Sequence, residues 1–398
     1  FSFIFIKKNY FFLKDKFFFI SIVFWISILF ISFYAYDKTK SFQDSFIFIR
    51  LLLIPTIAYY FFFNDQNKII NVIKIIFVCI CFVSIDTLFQ FMNYDTETGF
   101  GEDLLGFKSE WYGRLTGPFG DELIPGAYVS KFGLLGYIFF FFIKEQKFKS
   151  FFEVLYLSLL SLVCFSSGER MAFATFFLAL FFLLIFLNKK RIIILISILS
   201  SLLIIFLSMK FHPFYNDFKI ISSDHYHQGL TINKEFKCKE NEAEICNKII
   251  KLQPEFIEII KNFNTSAYGE IYKVGILMFK DHPLTGVGIS NYQKVCNNFD
   301  KYNNHMINYN CASHPHNIYI QWLTEGGLIS FTSFIFLLFT IIYLILNGNN
   351  SKSIKYISLA CLLIMFWPIM STGSLVKNWN GVLTFYIISI CISLNRVK

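Results

Sequence analysis

Three short polar segments of the sequence carry side chains that could bind an anion or move a proton. The first is 314–317, His-Pro-His-Asn, in which the proline favours the first position of a helix and leaves His316 in its first turn. A neutral histidine is a good general base near neutral pH, so this segment predicts proton transfer. The alternative interpretation is that both histidines are ordinary surface residues.

The other two segments each present an arginine. Segment 166–170, Ser-Ser-Gly-Glu-Arg, ends where an apolar run begins, so Arg170 stands near a predicted helix N-terminus. Helix dipole and backbone donors favour an anion there, and a guanidinium suits bidentate phosphate binding. In the Gly- and Pro-containing loop 114–122, Arg114 could contact phosphate or sugar. The alternatives are an arginine that only anchors its helix and a structural turn with a solvated arginine.

Apolar segments of membrane-spanning length separate these motifs. Of the 398 residues, 55% are hydrophobic and 54 are Phe, and the mean hydropathy is +0.53. The predicted fold class is therefore an all-α polytopic membrane protein with about 10 transmembrane helices. The predicted spans are 17–36, 45–63, 69–92, 126–143, 149–165, 171–187, 191–208, 326–346, 353–370 and 380–394.

Basic residues divide the connections between these spans into two alternating sets. Short connections rich in lysine and arginine should face the cytoplasm. The basic residues behind the net charge of +9 lie mainly in these short connections, where they orient a membrane protein. We therefore expect membrane lipids and no nucleic acid as partners. The other set should face outward, and it consists of 37–44, 93–125, 166–170, 209–325 and 371–379.

This topology predicts three parts of the chain. Transmembrane helices 1–7 occupy residues 1–208, one large extracytoplasmic, helical loop domain occupies 209–325, and helices 8–10 occupy 326–398. The sequence starts at Phe1, and we expect that N-terminal residues are missing from it. Within the loop domain, 254–263 and the amphipathic stretch 266–279 are predicted helices.

Four of the nine cysteines lie in the predicted loop domain, which fits an oxidising compartment. Among the possible pairings we favour the disulfides Cys238–Cys246 and Cys296–Cys311, because each closes a local loop. The second would tether the segment before His314. A zinc site with nearby histidines is the rival interpretation, although the spacing is not that of a paired CxxC motif.

The motifs of several enzyme classes are absent from the sequence. It contains no Walker loop, no GxSxG elbow, no HExxH motif and no acidic DxD cluster, so we expect neither a cofactor nor a metal. A transporter is the alternative of another class. Few charged residues lie inside the spans away from their ends, which counts mildly against transport. These residues are Arg50, Lys74, Asp86 and Lys131.

The stretch that begins at His316 resembles the signature of the O-antigen ligase and O-antigen polymerase superfamily. That signature is His-Asn, nine residues, then Gly-x-x-Gly; here it reads His316-Asn317, nine residues, then 327–330, with Ser330 in place of the last glycine. Segment 166–170 resembles the family's Gly-x-Arg motif, 114–120 its early outer loop, and 281–288 the segment before the histidine loop. The family usually has twelve spans, so two N-terminal spans would be missing here.

The resemblance implies a membrane glycosyltransferase at the periplasmic side of the bacterial inner membrane. It would move a glycan from an undecaprenyl-pyrophosphate carrier onto lipid A–core, with inversion and without metal. Arg170, helped by Arg114, would bind the diphosphate, and His316 would accept the proton of the attacking hydroxyl. An O-antigen polymerase and a protein O-oligosaccharyltransferase are the close alternatives.

The resemblance also defines a set of substrate-binding residues and one departure. We place His314, Asn317 and Glu325 in that set, together with Arg114 and Lys273. Tyr268 stands where the family often has a further arginine, with Tyr272 as the following aromatic residue. Lys273 or Lys280 could substitute for that arginine as the second phosphate contact.

Overall fold

The computed structural model is helical except for one short pair of strands. It describes residues 10–62, 65–93, 100–109, 114–144, 146–216, 231–232, 250–251, 261–307, 309–369 and 371–396. The strands Thr231–Ile232 and Ile250–Lys251 pair in antiparallel fashion. The α-helices are Lys16–Ser32, Lys38–Ile57, Gln66–Met92, Pro125–Tyr137, Phe139–Phe142, Lys149–Ser166, Arg170–Phe186, Arg191–Phe211, Pro213–Asn216, Ala267–Asp281, Tyr292–Asn298, Asp300–Asn303, Ile318–Leu346, Lys352–Met365 and Asn378–Arg396.

A helix stands at each of the ten predicted spans. By length and hydropathy six helices of the described residues can cross a membrane, and ten spans remain a prediction. Two shorter apolar helices, Lys16–Ser32 and Arg170–Phe186, lie at two further predicted spans. The six are Lys38–Tyr60, Gln66–Met92, Pro125–Phe142, Lys149–Ser166, Asn188–Phe211 and Ile318–Leu346.

The chain divides into two compact units. One contains Phe1–Val72 and Asn262–Lys398, and the other contains Ile73–Lys261. In the first unit, connections that the charge pattern assigns to the outer side contact one another. The backbone N–H of Tyr36 donates to the carbonyl oxygen of Val287 at 3.0 Å, and Lys294 forms an ion pair with Asp37 at 2.8 Å.

The opposite end of the first unit gathers the connections assigned to the inner side. Arg396 forms an ion pair with Asp15, the residue that caps helix Lys16–Ser32. Lys16 donates to the hydroxyl of Tyr343 at 3.1 Å. These contacts lie at connections predicted to face inward, and the side of a membrane that each connection faces stays a prediction.

The second unit shows the same grouping. Toward its predicted outer end, the ring of His212 lies 2.7 Å from the carbonyl oxygen of Phe91. Toward its predicted inner end, Glu153 is fully buried and accepts from the ammonium of Lys190 at 2.7 Å. A buried carboxylate is tolerated because this partner and the hydroxyl of Tyr137, at 2.8 Å, compensate its lost hydration.

Helix Ile318–Leu346 is broken at Gly327, whose φ of 58° is non-helical. Segment 283–288 lies at the break and bonds the backbone groups that the break leaves unpaired. Val287 and Gly288 donate to the carbonyl oxygens that precede the break, at 2.9 and 3.0 Å. The N–H of Leu328 donates to the carbonyl oxygen of Pro283 at 2.8 Å. Unpaired backbone groups are costly in a membrane, so this segment is an integral part of the helix.

The described part of the predicted loop domain has its own core. Helix Ala267–Asp281 confirms the amphipathic helix predicted at 266–279, and a Cys296–Cys311 disulfide confirms one predicted pairing. Cys238, Cys246 and most of the predicted helix 254–263 lie outside the described residues. The buried residues of this core are Ile271, Val274, Met278, Val287, Tyr292, Val295, Cys296, Tyr302, Met306 and Cys311.

Candidate active site before helix Ile318–Leu346

The side chain of Asn317, which is 4% exposed, fixes the start of helix Ile318–Leu346. Its Oδ1 accepts from the backbone N–H groups of Tyr319 and Ile320 at 3.0 and 3.1 Å, as a helix N-cap does. Its Nδ2 donates to the carbonyl oxygen of Pro368 at 2.7 Å. The amide therefore ties the helix to a second connection of the same unit.

This cap corrects the predicted helix start. The helix begins at Ile318, so Pro315 is not at its first position and His316 is not in its first turn. His316 has a φ of 53°, which no helix residue adopts. The physical reason is that the Asn317 side chain takes the first backbone donors, a role that proline and histidine cannot play.

His314 is buried, and both of its ring nitrogens have partners. Nε2 lies 3.2 Å from the carbonyl oxygen of Thr372, which can only accept, so Nε2 carries the proton. Nδ1 of the neutral ring then accepts from the hydroxyl of Ser313 at 2.9 Å. The ammonium of Lys377 donates to that hydroxyl oxygen at 3.1 Å. His314 is therefore fixed in one tautomer and one orientation.

His316 has different surroundings. Its left-handed φ costs a residue with a Cβ about 1–2 kcal/mol, and the N–H of Thr372 holds the strained backbone by donating to its carbonyl oxygen at 2.7 Å. The half-buried ring has its centroid 4.1 Å from that of His314 and 5.8 Å from that of Tyr268. No hydrogen bond from a described residue reaches either ring nitrogen. These nitrogens are therefore available to a substrate.

The pKa of each histidine is lower than usual, which favours the neutral rings. Burial lowers the pKa of His314 to about 4, and the positive charges of His316 and Lys377 act in the same direction. Burial also lowers the pKa of His316, and the charge of Lys377 adds to that effect. At pH 7 both rings are therefore neutral, and a neutral imidazole can accept a proton.

Helix Ala267–Asp281 presents two tyrosines to this segment. The ring of Tyr268, 39% exposed, meets that of His316 edge-on at an interplanar angle of 74°. Tyr272 shares a side-chain hydrogen bond with Asn317, and burial raises its pKa to about 12. Lys273, the next residue, is exposed. Tyr268, at the position where the family often has an arginine, thus packs its aromatic ring against His316.

Glu325 lies further along the same helix and is 1% exposed. Gln321 donates to its Oε2 at 3.0 Å and to the hydroxyl of Ser374 at 2.6 Å. The backbone N–H of Tyr292 donates to its Oε1 at 3.4 Å. These contacts join three segments of the unit, and a role of Glu325 in binding a substrate stays a prediction.

In the second unit, the two arginine segments of the sequence are neighbours. Arg114 Nε donates to the carbonyl oxygen of Ser167 at 3.2 Å. Arg170 is half-buried and is the first residue of helix Arg170–Phe186. The loop of Arg114 is anchored by Gln90, whose Oε1 accepts from the backbone N–H groups of residues 116 and 117 at 2.9 Å each. The family resemblance implies that both arginines bind one diphosphate, which requires them to be close together, and that role stays a prediction.

Glu169 is a charged neighbour that sequence reasoning left without a role. Its Oε2 accepts from the N–H of Ala127 at 3.0 Å. Burial raises its pKa to about 7, against the opposing charges of Arg114 and Lys131. Near neutral pH the carboxyl is therefore partly protonated, and it cancels less of the positive charge of Arg114 than an ordinary glutamate would.

Sequence reasoning also missed three residues that hold the histidines, namely Ser313, Thr372 and Lys377. Thr372 acts through its backbone, so its side chain gives no signal in the sequence. Lys377 did give a signal, because a lysine in the connection 371–379, which is predicted to face outward, runs against the excess of basic residues expected on the inner side. Among the described residues, no group of three or more His, Cys, Asp or Glu could hold a metal ion.

Comparison with known proteins agrees with the sequence motifs. Residues 155–335 match the family model described as O-Antigen ligase. The matched range includes Arg170, His314, His316 and the helix break at Gly327, but neither Arg114 nor Lys377. No curated protein matches the chain. Over residues 155–335, the chain is therefore similar to the O-antigen ligase family.

Proposed function

We propose that this chain is an O-antigen ligase, a membrane glycosyltransferase that moves a glycan from an undecaprenyl-pyrophosphate carrier onto lipid A–core. The family match supports a glycosyltransferase of the ligase or polymerase type. The donor, the acceptor and the periplasmic face of the inner membrane are parts of the proposal. The outward position follows from the alternation of charge, and the Cys296–Cys311 disulfide fits an oxidising compartment.

The difference between the two histidines carries the mechanism. Both ring nitrogens of His314 are engaged, whereas no described residue bonds to those of His316. His316 is also neutral at pH 7, because burial and the charge of Lys377 lower its pKa. We assign His316 as the general base and His314 as the residue that holds the segment in place.

The reaction then runs as one displacement. His316 accepts the proton of the acceptor hydroxyl, and the oxygen attacks the anomeric carbon of the donor sugar. The bond from that carbon to the diphosphate oxygen breaks, and the carrier diphosphate leaves with the electron pair, which inverts the anomeric configuration. In this proposal Arg170 and Arg114 bind the diphosphate and stabilise the charge that develops on it.

Two rival functions differ from a ligase in the acceptor of the glycan, and a third, transport, involves no glycan transfer. A polymerase would use a second lipid-linked glycan, and a protein O-oligosaccharyltransferase a protein hydroxyl. A transporter could use a broken helix to bind an ion. The break at Gly327 favours a structural joint instead, because segment 283–288 bonds the carbonyl oxygens that an ion would need.

Reconstituted transfer tests the proposal. The purified chain in lipid nanodiscs receives the lipid-linked glycan and one of three acceptors: lipid A–core, a second lipid-linked glycan or an acceptor protein. A ligase extends lipid A–core. Extension of only the lipid-linked glycan or the protein would replace this proposal with the corresponding rival.

His316→Ala tests the base in the same assay. We expect transfer to fall by at least about a hundredfold, since a positioned base contributes that much, while folding is retained. His305→Ala, in the same loop domain but outside the motif, is the matched control and should leave transfer unchanged. Near-normal transfer by His316→Ala would refute the assigned role.

A further inference from the structure

The departure at Tyr268 leaves the site in the first unit without the cation that the family resemblance implies. We propose that Lys377 supplies it and binds the donor's diphosphate beside His316. This inference rests on the proposed function, because it takes the donor to carry a diphosphate. Lys377 belongs to connection 371–379, outside the range matched by the family model.

The ammonium of Lys377 is held near the histidines by a hydrogen bond. Its ammonium donates to the hydroxyl of Ser313 at 3.1 Å, and that hydroxyl bonds to His314. In the same connection, Thr372 bonds through its backbone to both histidines. Lys377 is exposed, and a single hydrogen bond to Ser313 leaves two of its three N–H donors for a ligand.

The charges around the two histidines favour an anion. Lys377 acts on the pKa of both rings, and among the described residues no carboxylate does so. An ordinary catalytic histidine is often oriented by a carboxylate that stabilises its protonated form. Here the neighbouring cation opposes that form until an anion arrives. A bound diphosphate would offset the charge of Lys377 and thereby help His316 to take up a proton.

Lys273 is the competing candidate, because it lies next to the aromatic residues of helix Ala267–Asp281. It is exposed, but its charge does not contribute to the pKa of His314 or His316. Among the described residues, Lys377 is the lysine whose charge lowers the pKa of both histidines.

Binding of inorganic pyrophosphate to the full chain in detergent micelles tests this inference without requiring transfer. With ring-labelled histidine, the NMR signal of His316 is identified by its loss in His316→Ala. In the wild type we expect a saturable shift of that signal. Lys377→Gln should weaken binding about tenfold or more, and Lys377→Arg should retain it. Lys352→Gln, which removes one exposed positive charge elsewhere in the same unit, should bind as the wild type does.

Three outcomes would overturn the assignment of Lys377. They are the absence of a saturable shift in the wild type, unchanged binding by Lys377→Gln, and loss of binding in Lys273→Gln alone. The proposed function fails separately, when His316→Ala retains transfer or lipid A–core is not extended. Loss of transfer in His316→Ala together with unchanged binding in Lys377→Gln would refute only the present inference.

Discussion

The rings of His314 and His316 have centroids 4.1 Å apart, and they stand in opposite hydrogen-bonding states. His314 uses both ring nitrogens, on Ser313 and on the carbonyl oxygen of Thr372. His316 uses neither within the described chain, and its backbone is bonded to the N–H of Thr372. The backbone of Thr372 thus holds both histidines in place. We propose that one histidine positions the segment and the other acts as the base.

The rate of transfer should depend on pH through His316. Its pKa lies below the usual 6.5, so kcat/KM should be full above that value and fall only as the pH drops through the lowered pKa. Lys377→Gln removes a charge that lowers this pKa, so the acid limb should move to higher pH. Initial rates at acceptor concentrations well below KM, measured across the acid range, give kcat/KM and therefore the limb. An acid limb that stays in place, or moves to lower pH, would contradict the proposed coupling.

His314 should be replaceable by a residue that donates from the same place. His314→Ala loses the bond to Thr372, and we expect kcat to fall about tenfold or more, because small displacements of a base are costly. The amide of His314→Gln can donate where Nε2 does, so this variant should recover part of kcat. If His314 were itself the base, both variants would be equally inactive, and a comparison of the two rates decides between these roles.

Gly327→Ala should destabilise the protein strongly. The new Cβ would meet the carbonyl oxygen of Leu284, and the φ of 58° disfavours any residue with a side chain. We expect a loss of more than about 2 kcal/mol in unfolding free energy in detergent. Gly106→Ala separates the two causes, because Gly106 also has a positive φ but open space around it. An equal loss in both variants would show that the packing against Leu284 is unimportant.

Removal of the Cys296–Cys311 disulfide should loosen the loop domain. The bridge closes a loop with a sequence separation of 15, for which chain entropy predicts about 3 kcal/mol of stabilisation. Cys296→Ala should therefore lower the unfolding temperature, and a reductant should lower that of the wild type by more than that of the variant. Peptide mapping of the unreduced protein checks the pairing and also tests Cys238–Cys246. A disulfide between Cys311 and a cysteine other than Cys296 would contradict the Cys296–Cys311 pairing.

The sequence predicted those parts of the structure that local pattern determines. Apolar runs predicted a helix at each span, and spacing predicted helix Ala267–Asp281. The break at Gly327 escaped prediction, because glycine inside an apolar run is compatible with a continuous helix and segment 283–288 is distant in sequence. At the site, residue type identified His316 and His314. Their different roles depend on Thr372, whose backbone contacts have no counterpart in a sequence pattern.

The break at Gly327 also constrains how the protein is made. Segment 283–288 is synthesised before helix Ile318–Leu346, and it supplies bonding partners that this helix lacks on its own. A helix with unpaired backbone groups is unstable in the lipid interior. In the proposed topology, transfer of the loop across the membrane must therefore precede the final seating of this helix. A translocation defect in the loop would then appear as a misinserted helix, even when every apolar residue of that helix is intact.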